Sequence, residues 1–142
     1  MRALLDVNVL IALLDADHSL HERAIEWFGS NAPSGWASCP ITENGCVRIM
    51  SSQGYPNALP IGSVVKRLAL ATKGRFHEFW PDDISLLDAT VIDPDRVHGP
   101  RQLTDVYLVS LAVRHAGRLV TFDHSISVQS AKDAKAAHVV FL

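Results

Sequence analysis

The stretch Met1-Arg2-Ala3-Leu4-Leu5-Asp6 places a carboxylate directly after a short, largely apolar run. The same arrangement returns late in the chain, where Asp123 follows Leu119-Val120-Thr121-Phe122. Each run is predicted to be a buried strand with an acidic residue at its carboxyl end. Because open α/β sheets bind ligands outside the carboxyl ends of their strands, the two acids are predicted to lie at one ligand-binding edge.

Two further acids lie near the starts of predicted helices. Glu43 occurs in Pro40-Ile41-Thr42-Glu43-Asn44, and Asp105 occurs in Gln102-Leu103-Thr104-Asp105-Val106. Carboxylates from separate segments that meet at one edge indicate a divalent-cation site, since two unit charges about 4 Å apart repel by roughly 4 kcal/mol at an effective dielectric near 20. Oxygen ligands without cysteine favour Mg²⁺, with Mn²⁺ as a substitute, over zinc. Such a site predicts metal-dependent chemistry on phosphates.

Each of these acids also has a purely local interpretation, and the residues alone leave both interpretations open. Asp6 and Asp105 are suitable caps for the helices that they precede or begin. Asp123 suits a turn after its strand, and Glu43 is favourable near the positive end of a helix.

Polar and basic residues surround the acids in the sequence. Asn8 and Thr121 are placed to orient the neighbouring carboxylates, or to act as ordinary local caps. Arg48, on the predicted helix that begins at residue 40, either neutralises the acids or binds substrate phosphate. Arg96 and Arg101 precede the last predicted helix, where they form either a phosphate-binding rim or part of a solvated loop.

Short apolar runs alternate with helical segments along the chain, which is typical of a parallel sheet with crossover helices. The predicted strands are 4–5, 36–39, 76–80, 118–122 and 138–141. The predicted helices are 7–14, 19–31, 40–50, 61–73 and 102–116. Ser19 and Glu22 predict a capping box, and Gly117 predicts the C-terminal cap of the last helix. Residues 81–100 are predicted to form a loop with short helix.

At 142 residues the chain is predicted to form one domain, residues 1–142, with a sizeable hydrophobic core. The formal net charge of −2 gives no global positive field that would attract polyanions. The two cysteines, Cys39 and Cys46, fit neither a disulfide framework nor a zinc motif, which predicts a reducing, cytoplasmic location. Asp6 and Asp15 interrupt the apolar N-terminal region, so no membrane segment is predicted.

Four sequence blocks carry the acids and their neighbours. They are Leu5-Asp6-Val7-Asn8-Val9-Leu10, Thr42-Glu43-Asn44-Gly45 with Val47-Arg48-Ile49, Leu103-Thr104-Asp105-Val106-Tyr107-Leu108 and Thr121-Phe122-Asp123. Taken in order, these blocks resemble the PIN-domain ribonucleases, and most of all the VapC toxins of bacterial toxin–antitoxin pairs. The order, the spacing and the chain length all match, so the resemblance covers nearly the whole chain.

The resemblance implies a Rossmann-like α/β/α sandwich around a central parallel sheet of about five strands. It also implies Mg²⁺-dependent endoribonuclease activity on RNA, a homodimer and inhibition by a cognate antitoxin protein. By position, Asp6, Glu43, Asp105 and Asp123 match the family's catalytic acids. Asp6 and Asp105 are then the expected metal ligands, with Glu43 and Asp123 reaching the ion through water. The family often has a further acid after the last aspartate, whereas His124 follows here, which leaves open whether one or two ions act.

Two other classes of protein compete with this interpretation. A phosphatase of the haloacid-dehalogenase type also places an aspartate after its first strand, but it requires a second acid two residues on, where this chain has Asn8. No convincing lysine block for that class is present either. The second alternative is a non-catalytic PIN-like module that binds RNA or a protein without cutting, and metal-dependent turnover distinguishes it from a nuclease.

Overall fold

The computed structural model describes residues 1–142 as a five-stranded parallel sheet flanked by five α-helices. The strands are β1 (Ala3–Leu5), β2 (Trp36–Ser38), β3 (His77–Phe79), β4 (Arg118–Thr121) and β5 (Val139–Phe141). The helices are α1 (Val7–Leu14), α2 (His21–Asn31), α3 (Pro40–Met50), α4 (Ile61–Thr72) and α5 (Leu103–Arg114). The sheet order is β3-β2-β1-β4-β5, and every neighbouring pair is parallel. The predicted number and direction of the strands are confirmed.

Side chains on β1 alternate between the two faces of the sheet and so contribute to two separate cores. Ala3 and Leu5 pack among buried residues of α1, α3 and α4, such as Leu10. Leu4 packs on the opposite face with residues of α5, such as Leu108. Because both faces are covered, the central strand β1 is apolar and buried throughout, as expected of parallel sheets. The predicted α/β/α sandwich is therefore confirmed.

Helix α3 begins at Pro40, as predicted, because a proline at the first helical position loses no hydrogen bond there. Thr42 Oγ1 accepts a hydrogen bond from the Cys39 backbone N–H at 3.0 Å and so closes the first turn. None of the five helices combines the length and the apolar content needed to cross a bilayer. Residues 81–99 contain no α-helix, only a 3₁₀ turn at Pro94–Arg96.

The predicted capping box of Ser19 and Glu22 is wrong. Helix α2 begins at His21, and no side chain caps it. The chain enters this helix through two histidines instead: His18 Nδ1 accepts a hydrogen bond from Leu20 N–H at 3.0 Å, and the His21 ring bonds to the Ala12 carbonyl at 2.7 Å. The second of these bonds connects the start of α2 to α1, which local sequence signals do not reveal.

The C-terminal end of α5 also differs from the prediction, because Ala116 rather than Gly117 adopts the left-handed conformation, with a φ of 53°. Ala116 N–H bonds to the Val113 carbonyl and Gly117 N–H to the Ala112 carbonyl, the pattern of a Schellman motif. Gly117 is required for another reason. A Cβ on it would lie 2.6 Å from the Arg2 carbonyl oxygen, a distance that forces the backbone to shift.

Single substitutions at positions 116 and 117 are expected to change the free energy of unfolding in opposite directions. Ala116→Gly should raise the free energy of unfolding by about 1 kcal/mol, because glycine adopts a positive φ without steric cost. Gly117→Ala should lower it by roughly 1–3 kcal/mol through overpacking. Urea unfolding followed by circular dichroism measures both. Stabilisation by Gly117→Ala would show that the close approach of β1 to this turn is absent.

Candidate active site

The strand order reverses between β1 and β4, because the chain builds outward from β1 to β3 on one side and from β4 to β5 on the other. Ligand clefts in open α/β sheets form outside the carboxyl ends of the strands at such a switch point. Asp6 directly follows β1, and Asp123 lies just beyond the end of β4. Both acids therefore lie at the edge where a ligand cleft is expected.

Asp6 is a buried carboxylate, only 7% exposed, and it caps α1. Its Oδ1 accepts a hydrogen bond from the Val7 backbone N–H at 2.7 Å. The positive end of the helix dipole also favours a negative charge at this position. The local interpretation of Asp6 as a cap is thus correct, but the cap uses only one of the two carboxylate oxygens.

Thr121 and Asn8 hold the second oxygen of Asp6. Thr121 Oγ1 donates to Oδ2 at 2.7 Å, and Asn8 Nδ2 donates to the same oxygen at 3.3 Å. Thr121 Oγ1 in turn accepts from Asn8 Nδ2 at 3.1 Å and from the Asp123 backbone N–H at 3.0 Å. Because both lone pairs of the hydroxyl are occupied, its proton is committed to Asp6. These bonds fix the orientation of Asp6 and connect the end of β1 to the end of β4.

Asp105, in the first turn of α5, is the third acid at this edge. Burial first, and then the negative charges of Asp6 and Asp123, raise its pKa to about 6. Burial also raises the pKa of Asp6, with a smaller contribution from the charge of Asp123. No side chain caps α5, so the local interpretation of Asp105 as a helix cap is wrong. We refer to Asp6, Asp105 and Asp123 as the acidic cluster.

Asp123 has an environment opposite to that of Asp105. Its Oδ1 accepts hydrogen bonds from the backbone N–H of Ser125 at 2.8 Å and from its hydroxyl at 2.6 Å. The Ser125 hydroxyl, and then its amide, lower the pKa of Asp123. Asp123 thus forms the turn expected after its strand and stays ionised at a pH where Asp105 takes up a proton.

Glu43 makes a different set of contacts. Its Oε1 accepts a hydrogen bond from Ser38 Oγ at 2.6 Å, and this hydroxyl also lies 2.8 Å from His77 Nε2. Glu43 is not among the charges that shift the pKa of Asp6 or Asp105. Asp6, Asp105 and Asp123 are thus near enough for their charges to affect the pKa of Asp105, whereas the fourth predicted acid, Glu43, is hydrogen-bonded to Ser38.

Sequence reasoning missed the polar pair of Ser38 and His77. Ser38 ends β2, two residues before the first residue of the helix that carries Glu43, and a hydroxyl residue at that point is the signal that could identify it. His77 offers no comparable signal. It lies 39 positions from Ser38 and meets it only because β3 pairs with β2.

No basic side chain is paired with these acids. The ion pairs of the chain are Arg2–Glu78, Arg96–Asp93 and His115–Asp83. Arg48 is exposed and lines an open cavity of about 430 Å³ with Val7 and Thr104, the sequence neighbours of Asp6 and Asp105. It lies at the rim of the site without forming an ion pair, so no ion pair offsets the repulsion within the acidic cluster.

The two arginines predicted to bind phosphate differ in their surroundings. Arg96 Nε lies 3.3 Å from Asp93 Oδ2, so its charge is partly neutralised. Arg101 is exposed in the 3₁₀ turn Pro100–Gln102, directly before α5, and forms no ion pair. Arg101 therefore offers the freer positive charge for an incoming anion.

The oxygen donors of the acidic cluster suit a hard divalent cation. No three histidine, cysteine, aspartate or glutamate side chains converge closely enough to bind one ion together. Mg²⁺ does not require this, because it is usually held by one or two carboxylates and keeps several waters. Asp6 Oδ1 accepts a single hydrogen bond, and no hydrogen bond contributes to the pKa of Asp105. Both carboxylates therefore keep lone pairs for a cation.

Comparison with known proteins identifies the family. The model of the PIN domain matches residues 3–131. Ribonuclease VapC44 of Mycobacterium tuberculosis is 51% identical over 142 residues, which is 100% of each chain. Ribonuclease VapC39 of the same organism is 44% identical over 128 residues, 89% of this chain and 92% of the relative. The chain therefore belongs to the PIN-domain family and, within it, to the VapC ribonuclease toxins.

A solved structure agrees with the fold. The crystal structure of VapC20 of Mycobacterium tuberculosis, a toxin that cleaves the sarcin–ricin loop, gives a TM-score of 0.59 over 87% of this chain and 91% of its own. At 9% sequence identity, this likeness concerns the fold alone. Membership of the PIN-domain family also excludes the haloacid-dehalogenase alternative.

Replacing Asp105 by asparagine in metal-free protein is expected to raise the free energy of unfolding at neutral pH. The folded-state pKa of about 6 exceeds the ordinary value of 3.8, so the ionised carboxylate opposes folding above that pKa. As the pH falls from about 6 to about 4, the folded protein takes up the proton and the penalty disappears. The advantage of Asp105→Asn should therefore shrink across this range in urea unfolding with EDTA.

Asp17→Asn is the matched control, because Asp17 is an exposed acid outside the cluster. It should show no comparable advantage at neutral pH. Equal pH profiles for the two variants would contradict an electrostatic penalty within the acidic cluster.

Proposed function

We propose that this chain is a Mg²⁺-dependent endoribonuclease that acts as the toxin of a toxin–antitoxin pair. The observation that carries the proposal is the acidic cluster, in which the charges of Asp6 and Asp123 raise the pKa of Asp105 at the β1–β4 switch point with no ion-paired base. Such a cluster repels a polyanion unless a cation is bound. The substrate class is supported by the relatives VapC44 and VapC39, both of which are called ribonucleases.

Asp6 and Asp105 are the proposed direct ligands of Mg²⁺. Asp6 is fixed by three hydrogen bonds, and Asp105 is the carboxylate whose charge is most disfavoured in the metal-free protein. Asp123 and Glu43 are proposed to reach the ion through water. A bound cation would favour the ionised form of every acid in the cluster.

Bound Mg²⁺ supplies positive charge for the scissile phosphate and lowers the pKa of the attacking water. The side chains of the protein orient the metal ligands and keep them ionised. Thr121 and Asn8 keep Asp6 in one orientation, so the metal site needs little reorganisation. Ser125 keeps Asp123 ionised, which allows this carboxylate to accept a hydrogen bond or a proton from water.

Arg48 and Arg101 are proposed to contact RNA phosphates, because both are exposed and carry charges without an ion-pair partner. Arg96 is proposed to contribute less, since Asp93 already binds it. A homodimer, a cognate antitoxin and a cytoplasmic location complete the proposal. Family membership supports the first two, and the free thiols of Cys39 and Cys46 support a reducing compartment.

Purified, antitoxin-free protein is expected to cut total cellular RNA into discrete fragments in Mg²⁺ and to stop cutting when EDTA is added. Asp105→Asn should lower the cleavage rate about a hundredfold or more, because the loss of a metal ligand removes several kcal/mol of charge stabilisation. Gel analysis with mapping of the cut ends gives both the rate and the target. Asp17→Asn, the exposed control, should cut at the wild-type rate.

RNA that is bound but never cut by folded, metal-loaded protein would contradict the nuclease and favour a binding module. Cleavage that persists in EDTA, or at the wild-type rate in Asp105→Asn, would contradict the metal site while leaving a nuclease in place.

The two loop arginines are expected to differ in their effect on RNA binding. In the slow-cutting Asp105→Asn background, Arg101→Gln should reduce the slope of log K against log salt by about 0.7–0.9, the contribution of one phosphate contact. Arg96→Gln should change the slope less, because its partner Asp93 already neutralises part of the charge. Fluorescence anisotropy across a salt series measures both slopes, and equal slopes in all three proteins would remove both residues from the interface.

A further inference from the structure

Glu43 is held by a hydrogen-bonded chain that runs from α3 into the sheet. Its Oε1 accepts from Ser38 Oγ at 2.6 Å, and Ser38 Oγ lies 2.8 Å from His77 Nε2. Ser38 is completely buried at the end of β2, and His77 lies on the neighbouring strand β3. Three elements therefore meet at one hydroxyl group.

The direction of the chain follows from the single proton on that hydroxyl. With Glu43 ionised, Ser38 must donate this proton to the carboxylate, because a carboxylate oxygen only accepts. His77 Nε2 then carries a hydrogen and donates it to Ser38 Oγ. Burial lowers the pKa of His77, whereas the charge of Glu43 and a hydrogen bond from the ring to the Thr72 backbone act in the opposite direction.

The His77 ring is itself held in place. Its centroid lies 4.4 Å from that of Trp36 at an interplanar angle of 58°, and Trp36 is buried in the core. The ring therefore has a fixed position from which to donate. A rigid donor behind a hydroxyl restricts the hydroxyl, and through it the carboxylate, to one orientation.

We infer that Ser38 and His77 are positioning residues that hold Glu43 by one carboxylate oxygen, Oε1, and leave the other, Oε2, free to bind a water. The inference rests on the proposed role of Glu43 in the metal site. Groups that orient a ligand in this way contribute about 10- to 100-fold to metal affinity or activity.

A variant that keeps an aromatic ring at position 77 but lacks the ring nitrogens tests the inference. His77→Phe keeps a planar ring for Trp36 and removes the donor, and it should lower kcat/KM for RNA and the Mn²⁺ affinity about tenfold. His77→Gln places an amide N–H near the position of Nε2 and should restore most of both quantities. His115→Phe is the matched control, since His115 also stacks on a tryptophan, Trp80, but bonds to Asp83 elsewhere.

A double-mutant cycle separates positioning from general stability. In a Glu43→Gln background, His77→Phe should cost no further activity, because the residue through which it acts is already disabled. Independent losses that multiply in the double variant would overturn the inference. So would equal losses in His77→Phe and His77→Gln, or a Glu43→Gln variant as active as the wild type.

Mn²⁺ affinity, measured by calorimetry, keeps this test distinct from the test of the proposed function. A wild-type protein that cuts no RNA would contradict the nuclease. The same protein could still bind Mn²⁺ more weakly after His77→Phe and normally after His77→Gln, which would support the positioning role. Unchanged Mn²⁺ affinity in His77→Phe, with intact cleavage by the wild type, would overturn the positioning role alone.

Discussion

The burial of the Asp6 carboxylate is the constraint on which the site depends. An ionised carboxylate removed from water is costly unless hydrogen bonds replace its hydration. Three donors supply them here: the Val7 amide from α1, the Asn8 side chain two residues along the chain, and the Thr121 hydroxyl from β4. Because the donors come from both sides of the switch point, satisfying Asp6 also fixes how the ends of β1 and β4 meet.

The pKa values of Asp105 and Asp123 are shifted in opposite directions. Burial and two like charges raise the pKa of Asp105, whereas hydrogen bonds from Ser125 lower the pKa of Asp123. Environments that separate the pKa values of adjacent acids are characteristic of functional sites. The metal-free fold therefore carries an electrostatic cost at Asp105, and the proposed cation would remove this cost and so connect the stability of the protein to the occupancy of the site.

Local sequence signals predicted the scaffold well and the side-chain partners poorly. A carboxylate directly after an apolar run located Asp6 and the start of α1, and Pro40 located the start of α3, because both signals act within one turn. The contacts of Glu43 depend instead on β3 pairing with β2, which brings His77 beside Ser38. No local pattern encodes that pairing, and the same limitation explains the wrong cap at the start of α2, where the contact runs to α1.

The close packing of α3 against α1 influences which contacts the Glu43 side chain makes. A Cβ on Gly45 would lie 2.7 Å from Val7 Cγ2, so the absence of a side chain there allows α3 to approach α1 closely. That approach turns Asn44 and Arg48 toward the cavity beside Val7. One position earlier on the helix, about 100° around its axis, Glu43 is directed to Ser38 and β3. The close contact between α3 and α1 therefore fixes which side chains of α3 line the cavity beside Val7, and Glu43 is held by Ser38 instead.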